Sequence, residues 1–177
     1  MGKRKLPLSK VYGLLEPGPV VLLTTSHRGH ANVMTLSWHT MLEFELPRVG
    51  VVLGAAHSVK AVRATRECVL NIPTVELADA VVGCGNTSGA RVDKFAAFGL
   101  TPKPASLVAA PRIDECWANL ECRLVDTRGV NRYGLFVLEV VAAWTDPRVA
   151  DPRTLHHRGW GRFMVAGETI RLPSKMR

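Results

Sequence analysis

No two of the four cysteines, Cys68, Cys84, Cys116 and Cys122, stand at a CxxC spacing. That disfavours a zinc ribbon or a thioredoxin-type redox motif. Free, buried thiols are the simpler reading, with Cys84, set among glycines, the one candidate for exposure. No apolar run approaches the ~20 residues of a membrane helix, so no membrane partner is expected. The basic start MGKRKLPLSKVYG lacks a following apolar stretch and a cleavage site, which makes a cytoplasmic location the expectation. Acidic residues are scarce, 15 Asp and Glu against 23 Lys and Arg, so the formal charge is +8 and favours anionic partners. The basic residues are scattered rather than striped, and no recognition helix or aromatic RNA-binding pattern accompanies them, so nucleic acid is a weak expectation.

Catalytic signatures are also missing. There is no Gly-Lys-Ser/Thr at P-loop spacing, no GxGxxG, no GxSxG and no marked pair of carboxylates. The run His156-His157-Arg158 has no third ligand at a recognisable spacing, and adjacent histidines on a strand point to opposite faces, so a metal is not expected. Cys84 as a nucleophile has nothing nearby in sequence to lower its pKa. A chain with this profile that is nonetheless an enzyme leaves the hard chemistry to a cofactor and supplies binding and orientation.

What is present is mostly strand. The apolar fraction of 47% with 21% charged residues is that of an ordinary globular chain, read here as one domain over 1–177. Val20–Thr25 reads as a buried strand and Ser26–His30, with Gly29, as a turn leading into a returning strand, Asn32–Trp38. Val49–Leu53 follows Pro47. Ser58 is placed to cap a helix over Val59–Thr65, and Pro73 stops a strand over Cys68–Ile72. Thr74 opens a second helix, Val75–Val82, ended by Gly83 and Gly85. VDKFAAF, Val92–Phe98, can form a helical turn or two. Cys116–Val125 alternates, with Cys116, Ala118, Leu120, Cys122 and Leu124 on one face and Trp117, Asn119, Glu121 and Arg123 on the other. Leu135–Trp144 is a long strand, and Phe163–Ala166 with Thr169–Leu172 reads as a closing hairpin. Six or seven strands with short helices indicate a β-barrel or sandwich with helical inserts; a Rossmann fold lacks its βαβ alternation.

Two stretches need more than that. GCGNTSGARVDK, Gly83 to Lys94, is either a helix end with a turn or a place where Thr87, Ser88 and Lys94 meet an anion. ANVMTLSWHTM, Ala31 to Met41, mixes an amide, three hydroxyls, a Trp and a His with apolar residues, and suits neither a plain core strand nor a plain loop.

In order and spacing, N-x-M-T-x-S-W (Asn32–Trp38), Pro47, Ser58, E-x-V-L-N-I-P (Glu67–Pro73) and S-G-x-x-x-D-K-F (Ser88–Phe95) resemble the flavin reductase-like proteins, among them the flavoredoxins. P-R-I-D-E (Pro111–Glu115), L-E-C (Leu120–Cys122) and FVLEVV (Phe136–Val141) agree. The resemblance covers about residues 10–172. It implies an antiparallel, Greek-key, split β-barrel that binds FMN, with FAD possible, and a homodimer with flavin near the interface. It implies that Asn32, Met34, Thr35, Leu36, Ser37 and Trp38 run along the flavin, through backbone N–H groups as much as side chains. It assigns Ser58, with His57, to the phosphate, where a helix N-terminus suits an anion. Many relatives carry Arg at the position of Ala56, for which His57 or Lys60 can substitute. Lys94, Phe95, Tyr133, His156 and Phe163 match other positions near the flavin.

The reaction implied is hydride transfer from NADH or NADPH to flavin, with electrons passed onward. No single catalytic side chain is expected, since near-attack stacking and donors beside the ring suffice. The alternatives are a flavin electron carrier without NAD(P)H activity, a barrel of this fold that binds no flavin, and a basic nucleic-acid-binding β-barrel.

Overall fold

The computed structural model describes residues 2–54 and 57–174. In chain order its strands are β1 (Arg4–Leu6), β2 (Val21–His27), β3 (His30–Leu36), β4 (His39–Glu43), β5 (Arg48–Val52), β6 (Glu67–Ile72), β7 (Pro102–Lys103), β8 (Arg112–Ile113), β9 (Ala118–Asp126), β10 (Leu135–Thr145), β11 (Leu155–His157) and β12 (Phe163–Val165). The helices are α1 (Tyr12–Leu15), α2 (His57–Thr65), α3 (Ala78–Asn86), α4 (Lys94–Ala97) and α5 (Val130–Tyr133). The main sheet runs β3-β2-β6-β9-β10-β5-β4, all antiparallel, with β1 added along β10.

That order dictates the shape. β3 and β4 are the outer strands of the path, yet only Ser37 and Trp38 separate them in sequence. Seven strands laid flat would hold their edges about 29 Å apart at ~4.8 Å per step. Three Cα steps from Leu36 to His39 reach ~11 Å at most. The sheet must therefore curl until its edges approach each other, which makes it a split barrel. Bulges between Val137 and Leu138, between Val140 and Ala142, and between Met41 and Glu43 supply local bending. His39 Nε2–H donates to the Pro19 carbonyl (2.6 Å), tying β4 to the segment that leads into β2.

The β2–β3 hairpin turns on two residues, Arg28 and Gly29, both at positive φ (52° and 79°). Such a turn matches the twist of the strands it joins; Gly adopts it freely and Arg does so at a cost.

Two cores flank β2. Val21, Leu23, Leu36, Val49, Leu70, Leu120, Phe136 and Leu138 fill the barrel. Val20, Leu22, Val33, Val81, Cys84, Phe95, Ile113 and Leu155 form a second cluster under α3 and α4. Val20–Leu23 is an unbroken apolar run because both faces of β2 are covered.

Several expectations change. β1 and β4 are strands that the sequence pattern does not mark, and β3 ends at Leu36, two residues early. The helix read over 75–82 is a 3-10 turn (Val75–Leu77) followed by α3, which runs through Gly83 and Gly85 to Asn86. Gly83 is needed there because a Cβ would lie 2.3 Å from the Phe98 ring. Thr74 makes no capping bond to the backbone. Thr169–Leu172 forms no strand; β12 pairs with β11 instead. Cys84 is buried, not exposed, and burial pushes its thiol up to about 11 despite the nearby Lys94 charge. Asn119 and Glu121, read as one outward face of β9, are fully buried. The Glu121 carboxylate accepts from Ser106 N, Leu107 N and Trp144 Nε1, and so pins the 104–110 segment over the sheet.

Burial lowers the His39 pKa below its ordinary 6.5, against the opposing hydrogen bond to Pro19. The unfolded chain then binds more protons than the folded one just below pH 6.5, so this contribution is present above that pH and lost as pH falls. We expect thermal midpoints to drop between pH 7.5 and 5.5, and a His39→Gln variant, which keeps a donor but does not titrate, to show a shallower slope. Equal slopes would exclude His39 as the source.

Candidate functional site

β3 is an edge strand, so alternate backbone groups along it face no neighbouring strand. Three separate segments converge on its middle. Asn32 Nδ2–H donates to Ser58 Oγ (2.9 Å). Ser58 is 1% exposed and lies inside the first turn of α2, not ahead of it as a cap. Gly89 backs onto the same amide: a Cβ there would sit 1.9 Å from Asn32 Oδ1. The 87–93 loop reaches Asn32 because position 89 has no side chain.

Just beyond, Asp93 accepts from the Phe95 and Ala96 N–H groups and caps α4. The cap turns Lys94 inward and sends Phe95 into the second core. Lys94 Nζ–H donates to the carbonyls of Val33 (2.9 Å) and Cys84 (2.7 Å), tying β3 to α3. Burial lowers the Lys94 pKa, and the neighbouring Cys84 acts against that shift. No described carboxylate pairs with it.

A cavity of about 860 Å³ opens between the hairpin tip, α2 and the 89–93 loop. Its cationic and imidazole groups are His27, Arg28, His30, His57, Lys60 and Arg91. Asp93 is its single carboxylate among the described residues, and both its bonds go to the α4 cap. Among the described residues the side chains of Arg28, Lys60 and Arg91 make no ion pair or hydrogen bond, while Arg48, Lys103, Arg123, Arg128 and Arg148 are paired elsewhere. Thr25, buried on the cavity wall, has a hydroxyl without a partner among the described residues. Unpaired positive charge around a concave site with an unsatisfied hydroxyl fits an anionic ligand.

Of the residues marked by sequence, Asn32, His57 and Phe95 line this cavity, with Ser58 directly behind Asn32. Met34 and Leu36 turn into the barrel core. The Thr35 hydroxyl donates to the Val81 carbonyl, toward α3. Ser37 and Trp38 lie in the link across the split, where Trp38 is 70% exposed and its carbonyl accepts from Val52 N. His156 and Phe163 stand on the β11–β12 ribbon. Val20 N–H donates to Leu155 O (2.7 Å), which sets that ribbon beside the start of β2, where Val21 pairs with Leu36. His156 Nε2 lies 3.0 Å from Thr154 Oγ1. Tyr133 belongs to α5 rather than to a strand entry; it is exposed, with the Arg132 guanidinium over its ring. Ala56 lies outside the described residues. No metal-binding cluster occurs among the described residues.

Sequence reading missed Thr25, Arg28 and Arg91; Lys60, named with His57 as a stand-in for the Arg of relatives, does line the cavity. The basic turn SHRGH was visible, but as a turn; Arg91 sits at an unspecified position of S-G-x-x-x-D-K-F.

The flavin reductase like domain model matches residues 14–163. The uncharacterized protein YddH of Escherichia coli is 31% identical over 172 residues, covering 89% of this chain and 91% of YddH. An FMN-binding domain of flavin reductases-like enzyme from Shewanella baltica is 28% identical, with a TM-score of 0.91 over 97% of this chain and 98% of that one. Flavoredoxin from Methanosarcina acetivorans is 27% identical, with a TM-score of 0.76 over 89% of each chain. The chain therefore belongs to the flavin reductase-like, FMN-binding split-barrel family, and of its motif residues Asn32, Gly89, Asp93 and Phe95 meet at one cavity.

The contact between Gly89 and Asn32 predicts non-additive mutations. Gly89→Ala is expected to cost about 1–3 kcal/mol, since the added methyl must displace Asn32. In an Asn32→Ala background the same change should cost less than about 0.5 kcal/mol. Denaturant midpoints of the four proteins test this; additive costs would mean that the two residues do not clash.

Proposed function

We propose that this protein is an FMN-dependent reductase that takes hydride from NADH or NADPH and passes the electrons on. The observation that carries the proposal is the junction of Asn32, Ser58 and Gly89 on an open strand edge, with Lys60 on the same cavity wall unpaired among the described residues. The phosphate of the flavin goes to the Ser58 end of α2, where first-turn N–H groups, His57 and Lys60 meet it. The ring lies along the exposed edge from Met34 to Trp38, presented to backbone donors rather than to Met34 and Leu36 side chains, which are spent in the core. Bound flavin supplies a hydride acceptor that can release electrons to a second substrate.

In this reading the protein's own residues bind and orient. Lys94 is a positioning residue: its ammonium holds the Val33 carbonyl, and with it the edge of β3, in place. Its buried charge also favours the negative charge that gathers on a reduced ring. Trp38 covers the ring at the split, and the β11–β12 ribbon carrying His156 and Phe163 closes the far end. Tyr133, one residue from Gly134, whose carbonyl accepts from Leu53 N, faces the same end of the barrel. Trp38, Leu42, Phe44 and Leu46 are exposed around the split, and a second copy of the chain is the proposed cover for them. A second reading, a flavin electron carrier reduced by another donor, draws on the likeness to flavoredoxin.

Desalting after mixing with FMN should leave a flavin absorption spectrum on the protein, and anaerobic NAD(P)H should bleach it. A retained spectrum that does not bleach favours the carrier. A protein that neither retains nor reduces FMN would refute both readings. Sedimentation velocity should give a dimer, with Trp38→Ala or Phe44→Asp shifting it toward monomer; a monomeric parent would remove the proposed cover.

A further inference from the structure

The cavity runs from Asn32 back to the hairpin tip, past the end of β3 that the flavin reading assigns to the ring. At ~3.3 Å per residue, Asn32 to Leu36 covers about 13 Å of β3. In the flavin reading above, on which this inference rests, that length takes the ring, the ribityl chain and the phosphate at Ser58. From Asn32 back to Gly29 a further ~10 Å of hairpin remains. This stretch is where the cavity is deepest in positive charge: Arg28 and His30 on the hairpin tip face Arg91 on the 89–93 loop. Neither arginine has a partner among the described residues. Val92, an exposed apolar side chain, and Pro102 line the same end. A pair of guanidinium groups beside a small apolar wall is suited to a phosphate ester that carries a flat base.

The backbone supports a ligand role for Arg28. It occupies a left-handed position (φ 52°) in a two-residue turn, where Asn is easily accommodated and Arg is strained. Among the described residues the Arg28 side chain makes no hydrogen bond or ion pair that would stabilise the turn.

We infer that the hairpin tip, through Arg28 and Arg91, forms a second anion subsite that holds the adenosine-phosphate end of a dinucleotide. Two ligands carry that group: FAD, whose adenylate continues from the flavin phosphate, and the nicotinamide dinucleotide, which would lie beside a bound FMN. The cations make the contacts, His30 adds a donor, and Val92 and Pro102 flank the base. Lys60 stays with the first phosphate.

The test uses the full-length protein, with Arg28→Asn, Arg91→Gln and the double variant. Arg28→Asn suits the turn and should fold at least as stably as the parent. FMN and FAD are titrated by flavin fluorescence, and 5′-AMP and 2′,5′-ADP are titrated by calorimetry onto FMN-saturated protein. If FAD is the source, it should bind about tenfold more tightly than FMN, and the double variant should erase that advantage while FMN affinity stays within about twofold. If the nicotinamide dinucleotide is the source, FAD and FMN should bind equally, and an adenosine phosphate should bind the loaded protein but not the loaded double variant. An FAD advantage that survives in the double variant, or equal flavin affinities with no adenosine-phosphate binding, overturns the subsite and leaves the FMN reading standing. Should FMN itself not bind, the adenosine phosphates are titrated onto flavin-free protein. Binding lost in the double variant then supports the subsite while the flavin reading falls, and no binding overturns both.

Discussion

Two residues, Ser37 and Trp38, join the two outer strands of a seven-strand path, and the rest of the molecule follows from that constraint. So short a link cannot span a flat sheet, so the sheet rolls up. β3 and β4 come near each other at the link but do not pair, so the barrel stays open along this seam. β3 is left with an open edge, and an open edge is ordinarily a hazard, since its unpaired N–H and C=O groups invite another strand. Here the edge is managed from behind and at its ends. Lys94 takes the Val33 carbonyl, the Asn32 side chain binds Ser58, and α3 covers the outer face through Val81 and Cys84. What remains is an open strand edge that runs up to a basic cavity.

Among the described residues the buried Thr25 Oγ1, His39 Nδ1 and Trp117 Nε1 lack a partner, but the amides and carboxylate at the core of the sheet are satisfied, as burial requires. Asn71 Nδ2 donates to the Leu22 carbonyl, and its Oδ1 accepts from Asn119 and from Ile113 N. Lys3 Nζ then donates to Asn119 Oδ1 and the Ile113 carbonyl, with its pKa lowered by burial. The network joins β1, β6, β8 and β9 at the end of the sheet where β1 is added, so the amide of Asn71 locks the register of strands that apolar packing alone would let slide. Glu121 does the same for the 104–110 segment with four N–H···O contacts from three donors. The acidic and amide side chains that look like surface residues in β9 are therefore structural. Arg28 at the hairpin tip and Arg91 facing the same cavity are among the cations left without an ion pair among the described residues.

Strands bounded by Pro and Gly were legible from local pattern: Val20–Thr25, Val49–Leu53, Cys68–Ile72 and Leu135–Trp144 all appear within a few residues. β4 was not, because Met41, Leu42 and Phe44 do not alternate with their polar neighbours; the strand exists because β5 pairs with it. β1 has no signal of its own and is ordered by β10. The length of α3 escaped because Gly83 and Gly85 look like a helix end. They are instead tolerated inside it, Gly83 because Phe98 packs against the backbone and Gly85 beside Thr35. In the candidate site, Asn32, Ser58, Lys94 and Phe95 could be picked out by motif order, but the sense in which they act could not. Lys94 reads as a cation for an anion or the flavin, and its ammonium is bonded to the Val33 and Cys84 carbonyls as a buried brace. Thr35 reads as a free hydroxyl and is bonded to α3.

By itself the sequence determined the strand-rich class, the hairpin at Arg28–Gly29, the family and the set of residues around which a site would form, because these depend on short-range spacing and on residue chemistry. Tertiary structure alone decided which of those residues meet. The separation of 26 positions between Asn32 and Ser58, and of 61 between Lys94 and Val33, carries no local signal. It also decided that Arg28 and Arg91 share one cavity wall. Such encounters follow from how far the sheet must curl to let two residues join its edges, and curvature is a property of all the strands at once.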